Sequence, residues 1–469
     1  MPHFLENLQT TRVMAMQRYQ NSGDAANQTS LGKPLMFHFS KRTMNCRIFK
    51  ASMGETLATW DFKNIEASGI PTSEIKELYR RWGEHENGFG MILTGNIQIS
   101  STLPHLQGDL IIDASHPFHG PRFEAYKELA SAGKAGGSLM VAQLSYAGRQ
   151  ALAANSRTAA IAPSLKATDA RNKMFVATRE ATQADIDFLV EGFVHAAEYL
   201  EAAGFDGIEL HGAHGYAIAQ FLSPRTNKRG DSYGGSLANR MRFLLEISKK
   251  IRARISPSFI VGVKLNSVEF QEGGFGTAEA AEVCRVLQDE VGMDFVELSG
   301  GMLEKVGHEW TKETTINREA FFLRFAELIV PHLGKTAAER RTKVFITGGL
   351  RTLDAMVKAL STVDAVGIAR PAAQEPWIGR DLLSGRVSSV VKPASPFDND
   401  STLGLILAGA QMQQVASGFR PFDSSDEEEI KAFLKDKEAH EVAAIIDHER
   451  KRPWFPLMTF ANSTPYESP

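Results

Sequence analysis

The stretch Asp206-Gly207-Ile208-Glu209-Leu210-His211-Gly212-Ala213-His214-Gly215-Tyr216 begins as a short apolar run and ends in two histidines and a tyrosine. Runs of this kind recur along the chain. Most of them are continuous apolar segments, as expected of strands that are buried on both faces. We predict eight such strands, at Phe49–Met53, Met91–Gly95, Leu139–Leu144, Gly207–His211, Phe259–Leu265, Asp294–Ser299, Val344–Gly348 and Ala365–Ala369.

Amphipathic helical stretches fill most of the gaps between these runs. The clearest one begins with a capping-box-like sequence at Thr182–Asp185, carries an apolar stripe from Ile186 to Leu200 and ends before Gly204. Further helices are predicted over Ile75–Trp82, Phe123–Ala132, Arg240–Ile251, Ala278–Leu287, Phe321–Ile329 and Leu353–Leu360.

Eight strands with intervening helices predict an α/β fold of the (β/α)8 class, the TIM barrel. An open doubly wound sheet is the alternative. It usually has fewer strands and carries a G-x-G-x-x-G turn after the first one. No such turn follows Phe49–Met53, so the pattern favours the closed barrel.

The barrel is predicted to occupy residues 36–394, between a polar leader over residues 1–35 and a C-terminal helical extension over residues 395–469. The extension contains an acidic helix start at Ser424–Glu429. The segment Ser145–Phe205, between the third and fourth strands, is long, and its first part is rich in Ala, Ser and Thr. We interpret that part as a lid or binding loop at the mouth of the barrel.

Composition narrows the classes of function. The chain has 469 residues, a formal net charge of −3 and 43% hydrophobic residues, as in ordinary globular proteins, so its charge gives no reason to expect nucleic acid or a membrane as a partner. Its two cysteines, Cys46 and Cys284, are too few for a disulfide framework or an iron–sulfur cluster. The sequence shows neither a secretory signal nor an apolar stretch of about 18 residues, and it therefore predicts a cytoplasmic protein.

The strongest chemical motif consists of His211, His214 and Tyr216, at the carboxyl end of the fourth strand, where the active sites of barrels lie. A buried structural histidine would explain one imidazole but not two beside a phenol. A metal site would need a third ligand, and the helical H-E-x-x-H pattern is absent. We favour a substrate anchor, in which two imidazole N–H groups hold a carbonyl or nitro oxygen and the tyrosine O–H supplies a proton.

The motif belongs to a longer pattern. Beyond Tyr216 it continues with Gln220-Phe221-Leu222-Ser223-Pro224, Thr226-Asn227-Lys228-Arg229, Asp231, Tyr233-Gly234-Gly235-Ser236 and Asn239-Arg240. Weaker matches in the same register, over roughly residues 33 to 395, include Lys50-Ala51-Ser52-Met53, Thr94-Gly95-Asn96, Gln143-Leu144-Ser145, Lys264-Leu265-Asn266-Ser267, Thr347-Gly348-Gly349 and Gly367-Ile368-Ala369-Arg370-Pro371. Together they closely resemble the Old Yellow Enzyme family of NAD(P)H:flavin oxidoreductases.

This resemblance implies an FMN cofactor that lies across the carboxyl ends of the strands. The phosphate would be held by Gly348 and Gly349 after the seventh strand and by Ala369 and Arg370 after the eighth. Two adjacent glycines alone would indicate no more than a strand-to-helix turn. Their pairing with Arg370 is what favours a phosphate site.

The resemblance also implies contacts to the flavin ring. Lys264, inside the apolar fifth strand, matches the cation that faces N1 and O2 of the flavin, and a salt bridge in the barrel interior is the alternative. Gln143 matches a glutamine that hydrogen-bonds the isoalloxazine edge, although a generic polar strand cap would look the same. Ser52, Met53 and Gly95 match backbone contacts under the ring.

Some positions depart from the family pattern. Gly54 stands where members usually have Thr or Cys near flavin O4 and N5, so a side chain that tunes the flavin potential is missing. Ser145 occupies a position where some members carry a bulky aromatic residue, and Tyr146 one where a histidine is common. Arg225 adds positive charge at the mouth, which could meet NAD(P)H phosphates but is more typical of a solvated surface.

The resemblance implies a ping-pong reaction in which NADPH or NADH reduces FMN and an electron-poor alkene, conjugated to a carbonyl or nitro group, then accepts the hydride. His211 and His214 would hold the substrate oxygen, and Tyr216 would protonate the α-carbon. Three alternatives stay open: a pathway-specific isomerase or dehydrogenase on a secondary metabolite, an FMN barrel that oxidises a 2-hydroxy acid or a dihydropyrimidine, and a non-catalytic barrel. The choice of nicotinamide and a homo-oligomeric state are open as well.

Overall fold

The structure is a computed structural model that describes residues 16–21, 28–84, 86, 88–165, 174–269, 272–300, 323–398, 400–447, 452–456 and 464–466. Eight parallel strands form a closed barrel in which strands consecutive in the chain pair with each other. They are β1 (Ile48–Lys50), β2 (Met91–Gln98), β3 (Leu139–Ser145), β4 (Gly207–Gly212), β5 (Ile260–Asn266), β6 (Phe295–Ser299), β7 (Lys343–Thr347) and β8 (Ala365–Ile368). The predicted barrel is confirmed, and every predicted run overlaps one of these strands.

Helices connect the strands and continue beyond the last one. They are α1 (Ser73–Gly83), α2 (Pro121–Lys134), α3 (Gln183–Ala202), α4 (Ala217–Leu222), α5 (Leu237–Arg240), α6 (Arg242–Arg254), α7 (Thr277–Val286), α8 (Leu353–Ala359), α9 (Pro371–Gln374), α10 (Ile378–Leu383), α11 (Ser401–Ala416) and α12 (Glu427–Ile445). The capping box at α3 is confirmed, because Thr182 Oγ1 accepts from the Asp185 N–H over 3.2 Å and the Asp185 carboxylate accepts from the Thr182 N–H over 2.8 Å.

One predicted helix differs from the structure, and another is described only in part. The helix predicted over Arg240–Ile251 begins earlier, at Leu237, and a turn at Met241, with a ψ of −10°, separates α5 from α6. The first two residues of the helix predicted over Phe321–Ile329 lie outside the described residues, and residues 323–329 are helical.

The long segment between β3 and β4 contains its own local structure. After a short 3-10 turn at Gly148–Gln150, the strand Ala160–Ala162 pairs in parallel with the strand Thr178–Glu180. Residues 166–173 of this segment lie outside the described residues. The backbone N–H of Ile161 donates to the Tyr146 hydroxyl over 3.4 Å, which ties the small sheet to the end of β3.

Aromatic side chains close the amino-terminal end of the barrel interior. The rings of Phe295 and Phe345 stack with centroids 4.8 Å apart, and the Phe37 centroid lies 6.1 Å from each of them. Gly262 makes room for this cluster, since a Cβ there would lie 2.2 Å from the Phe295 ring. Polar groups of the interior are thereby left to the carboxyl-terminal end, where the site lies.

The helices after the barrel form a small apolar core of their own. It is built from Phe397, Leu407, Phe422 and Phe433, and α11 also packs against α1 and α9. The predicted acidic helix start is confirmed, because Asp426 caps α12 by accepting from the backbone N–H groups of Glu428 and Glu429 over 2.8 and 3.1 Å. Within the described ranges, no helix has both the length and the hydropathy that a bilayer crossing requires.

Candidate active site

A sharp turn after β4 brings the predicted catalytic residues together. His214 has a φ of 56° and Gly215 a φ of 80°, both in the left-handed region. The ring centroids of His211 and His214 are 5.2 Å apart, and those of His211 and Tyr216 are 4.3 Å apart. We call His211, His214 and Tyr216 the ring trio.

The two imidazoles of the ring trio are neutral at physiological pH. Burial lowers the pKa of His211 well below its usual range, and burial together with the Lys264 ammonium lowers the pKa of His214 to about 3. The backbone N–H of Ala213 donates to Nδ1 of His211 over 3.4 Å, so Nε2 of that ring carries the proton. Nε2 of His214 lies 2.8 Å from the Ser299 hydroxyl. This strand end therefore offers an uncharged N–H donor.

Tyr216 has a hydrogen-bond partner that sequence reasoning missed. Its hydroxyl lies 3.2 Å from Nδ1 of His105, which belongs to the loop after β2. Burial, with a smaller contribution from Asp109, raises the pKa of Tyr216 far above its usual range, and burial lowers the pKa of His105 to about 4. The phenol is therefore protonated at neutral pH and is held by a neutral imidazole.

Four polar side chains form a layer across β3 to β6, and we call Gln143, Glu209, Lys264 and Glu297 the polar floor. Strand register places Gln143 beside Glu209 and Lys264 beside Glu297. Nε2 of Gln143 donates to Glu209 over 2.7 Å, and Nζ of Lys264 donates to Glu297. No member is more than 5% exposed. The interior salt bridge considered for Lys264 is thus present, and Lys264 is also the register partner of His211.

The residues predicted to lie under the flavin ring contact one another. The Ser52 hydroxyl donates to Oε1 of Gln143 over 2.9 Å. A Cβ on Gly95 would lie 2.5 Å from the Met53 carbonyl oxygen, so glycine lets β2 approach the segment after β1. Around Gly54 there is room, because a Cβ there would meet no described atom closer than 3.8 Å.

The predicted phosphate residues emerge from neighbouring strands. Gly348 and Gly349 follow β7 with φ values of 121° and 78°, which favour glycine. Register pairs Thr347 at the end of β7 with Gly367 in β8, and Ala369 and Arg370 follow the end of β8. The structure therefore brings the two glycines and Arg370 to the same edge of the barrel.

Arg370 also lies against the C-terminal helices. A Cβ on Gly404 of α11 would lie 2.2 Å from Nη1 of Arg370, and these two residues line a cavity together with Arg351. A glycine turn beside an arginine fits a phosphate group, and the Lys264 cation fits the electron-rich end of a reduced isoalloxazine. The residues at this rim therefore fit FMN.

Arg225 at the mouth is engaged with the protein itself. Nη1 of Arg225 donates to the Glu272 carbonyl oxygen over 2.8 Å, and Arg225 is exposed to solvent. This arrangement is typical of a solvated surface and agrees with the interpretation that the sequence favours. The roles of the ring trio in catalysis and of the other site residues in FMN binding stay predictions.

Comparison with known proteins decides the family. Residues 30–371 match the NADH:flavin oxidoreductase / NADH oxidase family. The chain belongs to this family. It is 39% identical over 442 residues to the NADH-dependent flavin oxidoreductase nadA of Aspergillus parasiticus, a match that covers 93% of this chain and 97% of that protein. The resemblance seen in the sequence is confirmed, and so are FMN and NAD(P)H as cofactor and reductant.

Two more distant matches are an alkene reductase and a solved structure. The chain is 28% identical over 336 residues to a multifunctional alkene reductase/demethylase of Caballeronia cordobensis, over 68% of this chain and 46% of that protein. The structure of an old yellow enzyme homologue from Zymomonas mobilis superposes with a TM-score of 0.60 at 22% identity, covering 79% of this chain and 98% of that one. The second match shows a shared fold.

Proposed function

We propose that this FMN-dependent oxidoreductase reduces the C=C bond of alkenes conjugated to a carbonyl or nitro group. NADH is the proposed reductant, because the relative of Aspergillus parasiticus is described as NADH-dependent. When bound at the rim, FMN would supply the hydride-transfer chemistry that links NADH to the alkene. The relative from Caballeronia cordobensis, described as an alkene reductase, supports this reaction class.

The imidazoles of the ring trio bind and polarise the substrate oxygen. Nε2–H of His211 is a neutral hydrogen-bond donor. It can stabilise the substrate oxygen as that oxygen gains negative charge, and the imidazole keeps its proton. His214 lies beside it, 5.2 Å away between ring centroids, and supplies the second contact to the same oxygen. Drawing electrons toward that oxygen makes the β-carbon a better hydride acceptor.

Tyr216 delivers the proton that completes the reduction. Its raised pKa keeps the hydroxyl protonated, and its hydrogen bond with His105 fixes where the hydroxyl lies. The single observation that carries the proposal is this packing of a protonated phenol 4.3 Å, between ring centroids, from a neutral histidine at a barrel strand end.

Substitution Tyr216→Phe tests the proposal through the two half-reactions. General acid catalysis typically contributes about 10²–10⁴-fold, so reoxidation of the reduced enzyme by cyclohexenone or a nitroalkene should slow by about that factor. Reduction by NADH, which needs no proton from the phenol, should change less than about threefold. Anaerobic stopped-flow absorbance of the flavin measures both rates.

Tyr199→Phe is the matched control, because Tyr199 is also a buried tyrosine but lies on α3, and its hydroxyl has no hydrogen-bond partner among the described residues. Both half-reactions of this variant should match those of the unaltered protein. Equal alkene reoxidation rates in Tyr216→Phe and Tyr199→Phe would remove the proton-donor role. Failure of the unaltered protein to be reoxidised by either alkene would remove the proposed substrate class.

A further inference from the structure

Lys264 reaches the rim of the barrel already paired with a carboxylate. Nζ of Lys264 donates to Oε1 of Glu297, and strand register between β5 and β6 sets the two residues side by side. Lys264 is 5% exposed and Glu297 is 0% exposed. A pair that is buried this deeply is screened little by solvent, so each charge modifies the field of the other at short range.

A second carboxyl group lies in the same layer but carries no charge. Burial, followed by the neighbouring Glu297, raises the pKa of Glu209 well above its usual range. Burial alone would also raise the pKa of Glu297, but the Lys264 ammonium, which donates a hydrogen bond to this carboxylate, lowers it. The raised pKa favours the protonated, uncharged form of Glu209, whereas the ion pair with Lys264 favours the carboxylate form of Glu297.

The ring trio responds to the same pair. The Lys264 ammonium lowers the pKa of His214, and Glu297 opposes that effect more weakly. Both members of the pair thus act on a group at the mouth of the barrel, with opposite signs. A cofactor ring that lies over this layer receives the field of both charges.

We propose that Glu297 is a positioning residue that offsets the positive charge Lys264 presents to bound FMN and so lowers the reduction potential of the flavin. The inference rests on the proposed placement of Lys264 beside the pyrimidine end of the ring. Reduction places negative charge at that end, and a lone cation would stabilise it more than a cation with an adjacent anion does. A lower potential makes the reduced cofactor a stronger hydride donor to the alkene, at the expense of a smaller driving force for reduction by NADH.

The experiment compares Glu297→Gln with Glu209→Gln in the FMN-loaded enzyme. Both substitutions replace a buried carboxyl by an amide of the same shape, but only the first removes a charge. Equilibrium reduction against a reference dye should show that Glu297→Gln shifts the ratio of reduced to oxidised flavin about tenfold toward the reduced form, about 30 mV for a two-electron couple. Glu209→Gln should shift it less than about twofold.

Sulfite titration gives a readout that needs no turnover. Sulfite adds to N5 of oxidised flavins and leaves negative charge at the pyrimidine end, so its affinity follows the local positive charge. Glu297→Gln should bind sulfite about tenfold more tightly, and Glu209→Gln should bind it about as tightly as the unaltered enzyme does. Equal potentials and sulfite affinities in all three proteins, or equal shifts in both variants, would overturn the proposal.

The double variant Lys264→Gln/Glu297→Gln keeps the proposal testable if Glu297→Gln yields no folded holoenzyme. It removes both charges together, and if they offset each other its potential should stay within about twofold, in reduced-to-oxidised ratio, of the unaltered enzyme. A tenfold shift toward the oxidised form would mean that Lys264 acts as an uncompensated cation. FMN binding and alkene reoxidation by the unaltered enzyme test the proposed function separately.

Discussion

The ring trio and the polar floor meet where β4 and β5 pair, and only the floor contains an ion pair despite its burial. His211 of the trio and Lys264 of the floor are register partners, and neither residue is more than 6% exposed. The histidines of the trio respond to burial by losing their protons. In the floor, the Glu297 carboxylate has the Lys264 ammonium as its partner, and this cation lowers the pKa of Glu297.

The difference shows that the partner, rather than depth alone, decides whether a buried group is charged. His214 has a cation nearby and a hydroxyl as hydrogen-bond partner, and it is neutral. Glu297 has an ammonium as partner, and it is ionised. The active site thereby combines neutral donors for a substrate oxygen with a fixed ion pair for the cofactor, on the three neighbouring strands β4, β5 and β6.

The largest expected effect comes from breaking the ion pair of the floor. Lys264→Gln leaves the Glu297 carboxylate buried without its cation, and the free energy of unfolding should fall by about 3–5 kcal/mol. Urea unfolding at a fixed excess of FMN, followed by circular dichroism, measures the change. The double variant Lys264→Gln/Glu297→Gln should recover most of the loss, because no unpaired charge is left in the interior.

An exposed ion pair serves as the control for this comparison. Lys249 and Glu290 are 2.6 Å apart with side chains 48% and 52% exposed, so Lys249→Gln should cost no more than about 1 kcal/mol. If Lys264→Gln costs no more than Lys249→Gln does, the floor does not depend on its ion pair. The contrast with the ring trio would then be lost.

The next largest effect is expected from the ring trio. His211→Ala removes the neutral N–H donor, and loss of one such donor typically costs about 10²–10³-fold in rate. The rate of alkene reoxidation should fall by that factor, while the stability should change far less than in Lys264→Gln. Stopped-flow measurement of the second half-reaction and urea unfolding of the same sample give both numbers.

His195→Gln is the matched control for a histidine with a lowered pKa. His195 lies on α3, packs against Phe118 with ring centroids 5.2 Å apart, and is neutral mainly because of burial. Its substitution should leave the rate of alkene reoxidation unchanged. A similar loss of rate in both variants would assign the effect of His211→Ala to general destabilisation.

The fold and the ring trio could be predicted from the sequence because their signals are local. Each barrel strand is a short apolar run, and a capping box of four residues marks the start of α3. The trio lies within six residues, from His211 to Tyr216. The boundaries at residues 35 and 394 stay predictions, because no structural comparison tests them.

The remaining contacts of the site could not be predicted because they join distant parts of the chain. His105 precedes its partner Tyr216 by 111 residues, and Glu297 follows Lys264 by 33. Such pairs depend on strand register and loop path, which no local pattern encodes. Glu209 and Glu297 carry the same signal as Lys264, a charged residue inside an apolar strand. The sequence analysis used that signal for Lys264 only.

The smallest expected effect is a pH dependence that separates the neutral histidines from the charged floor. Burial holds the pKa of folded His214 at about 3, whereas an unfolded histidine titrates near 6.5. Below about pH 6.5 the unfolded state therefore binds more protons, and stability falls with decreasing pH by about 1.4 kcal/mol per pH unit for each such residue. Above that pH this histidine contributes no slope.

His214→Gln isolates this contribution. Its free energy of unfolding, measured by urea between pH 5 and 8 at fixed FMN, should run parallel to that of the unaltered protein above about pH 7. Below pH 6 the variant should lose stability more slowly, by about one proton's worth, or about 1.4 kcal/mol per pH unit. Parallel curves down to pH 5 would mean that folded His214 takes up a proton there. In that case the effect of Glu297, which raises the pKa of His214, would outweigh the effects of burial and Lys264, which lower it. The neutral-donor role of the ring trio could then not be kept.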